Sequence, residues 1–144
     1  MILLVHMLFG AAIGSTVNNF YLAVILAFLG HYFLDTFPHV EYLDSVESSI
    51  QKKSGHDVMK VLLDFLIGIF IIFLFSKNHP IIYICALIAI IPDGLTVISK
   101  LFPNKLSLLH DKIHYLTKQK NFPKFWKITM QVLAVIISII FLKM

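Results

Sequence analysis

The sequence contains no arginine: all twelve of its basic residues are lysines. This removes the planar guanidinium fork that grips phosphate through paired hydrogen bonds and leaves only ammonium point charges. The single cysteine, Cys85, stands in an apolar run, so neither an intrachain disulfide framework nor a zinc ribbon can form. Charged residues are scarce at 14%, where soluble domains carry about a quarter, and hydrophobic residues reach 58%. Glycine-rich phosphate loops and nucleophile elbows are missing, and Cys85 has no setting for a Cys–His pair. Water activated by a metal is then the remaining hydrolytic nucleophile. The net charge of +4 does not point to nucleic acid, because the lysines gather where a membrane rule accounts for them.

What is present is hydrocarbon in long runs, with a mean hydropathy of +0.86. Five apolar segments cover 2–17, 20–37, 58–75, 80–98 and 122–142. The first is short for a span of about 20 residues. It has no basic n-region, which argues against a cleaved signal peptide. His6, Gly10 and Gly14 share one stripe of it, and the two glycines form a small-xxx-small face for close helix approach. Asn18 and Asn19 read as a tight turn, while Phe122, Phe125 and Trp126 read as an interfacial aromatic anchor. Connections 40–57 and 100–121 are polar, and the second holds a helical-looking KLSLLHDKIHYL. The expectation is one integral-membrane domain over 1–144. It is an all-α polytopic bundle of about five membrane-embedded segments plus a cytoplasmic amphipathic helix.

Lysine placement orients the bundle. Lys52, Lys53, Lys60, Lys100, Lys105, Lys112, Lys118, Lys120, Lys124 and Lys127 fall around the connections after segments two and four, while Lys77 and Lys143 fall on the other side. The positive-inside rule then predicts the orientation of a multi-pass protein. Its N-terminus and both long connections are cytoplasmic and its C-terminus is outside.

On this topology the ionisable residues converge. His6 opens segment one, His31, Asp35 and His39 close segment two, and Asp64 lies two turns into segment three. Asp93, in IIPDGL, lies near the end of segment four, where Pro92 and Gly94 are expected to interrupt the helix. His110 and His114 belong to the following connection. Acids in a bilayer cost ~2.5–3.5 kcal/mol at its centre, so they turn inward and need partners. A divalent cation satisfies several at once. Residues i and i+4 share a helix face, so His31 with Asp35, and His110 with His114, can each grip one ion. The metal ligands expected are His6, His31, Asp35, Asp93, His110 and His114, with Asp64 or His39 as general base or orienting group.

Plainer readings stand beside these. Asp64 follows Lys60 by four residues and suits a simple ion pair. His6 suits an interfacial histidine bonded to a carbonyl. His110 and His114 suit the polar face of a surface helix, and Pro38 can end the helix and leave His39 in a loop.

Taken together, LVHMLFGAAIG, FLGHYFLDTFPH, IIPDGL and LLHDKIH resemble elements of the membrane-bound metal-dependent hydrolases. The family's PDxD element reads PDGL here, with Leu95 at the second acid, and its HRGxTHS element is matched by HDKIH. The resemblance implies a small multi-helix inner-membrane enzyme acting on a lipid-linked or phosphorylated substrate. Mixed histidine and aspartate ligands suit zinc first, then manganese or iron, as one or two ions. The expected partners are the bilayer and a lipid-phosphate substrate, with no nucleic acid. The alternative class is non-enzymatic: a small ion or solute transporter, or a metal-stabilised scaffold. A transport path needs polar residues through to the far side, and segment three continues after Gly68 only as IFIIFLF.

Overall fold

The computed structural model describes residues 2–40, 54–101 and 122–144, with side chains described over 2–40, 59–94 and 122–144. The described residues are all-helical: α1 Leu3–Thr16, α2 Phe20–Asp35, α3 Ser54–Phe75, α4 Pro80–Leu101 and α5 Lys124–Lys143. Connection 41–53, the stretch 102–121 with its expected amphipathic helix, and His110 and His114 lie outside the described residues.

Local chemistry sets the helix ends. The Ser15 and Thr16 hydroxyls donate back to Ala12 O at 2.8 and 2.9 Å, and Val17 turns extended. The Asn19 side chain accepts the Leu22 N–H at 3.0 Å, an N-cap that starts α2 directly after the asparagine turn. α2 stops at Asp35, not at the expected residue 37, and the Thr36 hydroxyl donates to Phe33 O at 2.6 Å. Pro38 keeps the preceding residue out of helical backbone, so His39 lies beyond the helix. Asn78 takes a left-handed φ of 54° in the α3–α4 turn, which an asparagine tolerates. Pro80 then opens α4, where its missing N–H costs nothing.

One expectation is corrected here. Pro92 and Gly94 do not interrupt α4, which runs through both to Leu101. A proline removes one N–H and crowds one carbonyl, and packing on both sides of that point can carry the helix across.

The shortest of the described helices is the hub. α1 packs against α2, α3, α4 and α5, while α4 also meets α2 and α3 meets α5. Apolar on every side, it belongs in the middle, and its Met7, Leu8 and Ala11 are buried with Ile72, Ile82 and Leu142. Its glycine stripe faces α4. A Cβ on Gly10 would stand 2.5 Å from Cys85 O and 2.6 Å from Ala89 Cβ, and one on Gly14 would stand 2.9 Å from Ile81 O. Rising along α1 therefore means descending along α4, so the two are antiparallel. By length and composition, among the described residues α5 alone is long and apolar enough to cross a membrane.

The glycines yield a differential prediction. Gly10→Ala drives a methyl into α4 backbone and should destabilise the protein by about 1–3 kcal/mol. Gly94→Ala meets nothing within 4 Å and should be neutral or stabilising by up to about 1 kcal/mol. Thermal unfolding of both variants checks the pair, and a Gly10→Ala protein as stable as wild type would contradict the α1–α4 packing.

Candidate metal centre

His6 stands one turn before Gly10 on the α1 stripe that meets α4. The antiparallel crossing places it against Asp93, one turn beyond Ala89. α2 supplies His31 and Asp35 from one face, four residues apart. Three helices thus bring their polar groups to one end of the bundle.

His6, His31 and Asp35 are buried, and Asp93 is 26% exposed. His6 Nε2 lies 3.3 Å from Asp35 Oδ1 and 3.9 Å from Asp93 Oδ2. His31 Nε2 lies 3.2 Å from Asp35 Oδ2 and 3.8 Å from Asp93 Oδ1. The two imidazoles stack with centroids 4.1 Å apart and planes 26° from parallel. Tyr32 meets His31 edge-on at 5.2 Å, walling the outer side of that ring.

Hydrogen bonding assigns the tautomer of His31. Its Nδ1 is 2.9 Å from Ala89 O, and a carbonyl only accepts, so Nδ1 carries the proton. In the neutral ring, Nε2 then presents a lone pair to Asp35 and Asp93. His39 repeats the device: Nδ1 donates to Phe37 O at 2.8 Å, and Nε2 turns toward Asp35 Oδ1 at 4.0 Å. Backbone-anchored Nδ1–H groups of this kind orient metal-ligating histidines. His6 Nδ1 is buried and makes no hydrogen bond among the described residues.

Ring nitrogens and carboxylate oxygens 3.2–3.9 Å apart leave room for either a shared proton or a cation between them. Zinc bonds of about 2.0–2.1 Å to tetrahedral ligands set ligand–ligand edges near 3.3 Å, and the shorter two contacts match that edge. Donor atoms of His6, His31 and Asp93 lie within 4.8 Å of one another and could hold a metal ion. Asp35 lies closest to both imidazoles and can complete the set or orient them.

The other expected residues sort differently. His39 is brought to the cluster by the turn after α2 and not by a shared helical face. Asp64, partly buried on α3, is not part of the converging His6–His31–Asp93 group among the described residues. It sits one turn before Gly68, whose backbone abuts Met7. Two contributors were not anticipated from the sequence. The Ala89 carbonyl carries no residue-type signal. Gln131, buried on α5, donates from Nε2 to Val40 O at 3.0 Å and ties the chain after His39 to α5. A lone amide in an apolar run was its only sign. No protein family, curated protein or solved structure matches the chain.

The geometry predicts metal retention through these side chains. Purified protein loaded with zinc and gel-filtered should keep bound metal, and His6→Ala, His31→Ala and Asp93→Asn should each weaken binding at least tenfold. His39→Ala should retain it. Elemental analysis with competition by a chromogenic chelator measures both, and unchanged affinity in His31→Ala would remove the centre from consideration.

Proposed function

We propose that the chain is a polytopic membrane hydrolase, of the metal-dependent kind its motifs resemble, acting on a lipid or lipid-linked phosphate from the cytoplasmic leaflet. The observation that carries this reading is the buried His6–His31–Asp35–Asp93 cluster at one end of an apolar bundle. The outer surface supports the membrane setting, with Tyr21, Ile25, Phe33, Phe70, Phe73 and Ile140 all exposed. An aqueous surface that rich in large apolar side chains would associate. α1 and α2, at 14 and 16 residues, are about 21 and 24 Å long, less than the ~30 Å hydrocarbon core. Their polar ends therefore sit where head groups reach in.

A divalent ion, zinc first, supplies when bound a lowered water pKa near 7 and polarisation of a phosphoryl oxygen. His6, His31 and Asp93 would hold it, with Asp35 bridging the two imidazoles. His39 would serve as proton acceptor, a role supported by its Nδ1–H bond to Phe37 O and its Nε2 turned toward Asp35. The partial exposure of Asp93 favours turnover over a purely structural ion, since structural sites are closed and catalytic ones keep an opening.

Metal-loaded protein supplied with lipid-phosphate classes should release phosphate or head group, and Asp35→Asn or His31→Ala should abolish the release. His39→Ala should lower the rate 10²-fold or more while zinc stays bound. Turnover of no lipid class by the wild type would leave a structural metal site or a transporter in its place. Topology is tested separately: in a Cys85→Ala background, Lys77→Cys should react with an impermeant maleimide from outside the cell. Labelling only from the cytoplasm would invert the orientation.

A further inference from the structure

A cavity of about 330 Å³ lies between α1, the strand of chain after His39 and α5. Its wall is apolar, with Val5 and Val40 on one side and Ile128, Val132 and Ile136 along α5 on the other. Both neighbouring elements lead to the candidate centre: Val5 precedes His6, and Val40 follows His39. The Gln131–Val40 bond joins that chain to α5 across the groove.

The groove has a direction. Ser15 Oγ donates to Phe141 O at 3.1 Å, so the C-terminal ends of α1 and α5 lie together and the two helices are parallel. Lys124, which lines the groove at the start of α5, is therefore at the His6 end. Phe125 and Trp126, both exposed, mark the same end as an interfacial anchor. From Lys124 to Ile136 is about 18 Å at 1.5 Å per residue, close to half of a ~30 Å hydrocarbon core. The groove is one leaflet long, apolar in its depth and cationic at its mouth.

We propose that it seats one acyl chain of a phosphate-bearing lipid, with the anionic head group held at Lys124 on the side where His39 and Asp35 lie. This rests on the membrane-hydrolase reading and names its substrate class. Helical peptides, about 10 Å across, do not fit so small a space. Its volume, at the low end of ligand sites of ~300–1,000 Å³, admits one tail and not two.

The probes are palmitoyl lysophosphatidate and palmitoyl lysophosphatidylcholine, scored as adducts by native mass spectrometry from nonionic detergent, with zinc content measured in parallel. Wild type should retain one equivalent of lysophosphatidate at least tenfold more tightly than the choline lipid. Ile128→Trp and Val132→Trp, which fill the groove, should weaken both lipids at least tenfold with zinc content unchanged. Lys124→Gln should erase the preference between head groups. In wild type alone, retention should rise with chain length and level off once the tail fills the groove. Equal retention in the filled variants, retention that keeps rising with chain length as bulk partition does, or no adduct at all because another stretch of chain occupies the groove would each overturn the proposal. The two readings fail separately: zinc without a lipid adduct overturns the groove and leaves the centre, whereas an adduct lost in Val132→Trp from a protein that binds no zinc overturns the hydrolase and leaves a lipid site.

Discussion

The contact at Gly10, where α1 runs against the backbone of α4, sets the spacing of the polar cluster among the described residues. No hydrogen bond among the described residues marks it; what permits it is the missing side chain, since a Cβ there would lie 2.5 Å from Cys85 O. Closeness at that level has two consequences one turn away. It faces His6 toward Asp93, and it leaves Ala89 O within reach of the His31 ring on α2. Widening the crossing by one methyl would alter both contacts together. Small residues in the hub thus set the spacing of groups that never touch them.

The division between what the residues revealed and what they hid follows from the range of each interaction. The all-helical class followed from long apolar runs, and Asn19, read only as part of a turn, proves also to cap α2. His31 and Asp35 were legible because four residues on one helix guarantee a shared face. His6 was legible because it continued the glycine stripe. His39 was placed near Asp35 on helical spacing, yet it arrives there by a turn that Pro38 imposes. The end of α2 two residues early is thus compensated in space. Pro92 misled in the opposite direction: its local rule says break, and the packed helix carries on.

What was hidden is tertiary. A backbone carbonyl such as Ala89 O has no signature in sequence, and its use depends on the α1–α4 distance. Stacking of His6 on His31 joins residues 25 positions apart through the α1–α2 packing, where Gly30 abuts Phe9. Asp64, nearly three turns into α3, carried the same chemical signal as Asp93, but depth along a helix does not say which neighbour it faces. Lys60, one turn before it, always offered a simpler partner. Gln131 belongs here too: its role is to hold the segment that carries His39, and nothing in the α5 pattern says which loop it reaches.

Charge bears on what the centre of the cluster could hold. Asp35 and Asp93 bring two carboxyl groups beside two imidazoles, and an apolar surround makes uncompensated charge there costly. Protons on the carboxylates would neutralise them, whereas protons on both stacked rings would make those rings cationic. With centroids 4.1 Å apart, those rings would repel by about 4 kcal/mol even at an effective dielectric near 20. One proton would leave a net negative charge in the buried site. A single divalent cation cancels both carboxylates, accepts the His31 lone pair directed by Ala89 O, and requires no charge on either ring. The stack, in which two like rings lie face to face with their Nε2 atoms turned to the same acids, is the arrangement expected of two ligands to one ion and a poor one for a pair of imidazolium–carboxylate bridges.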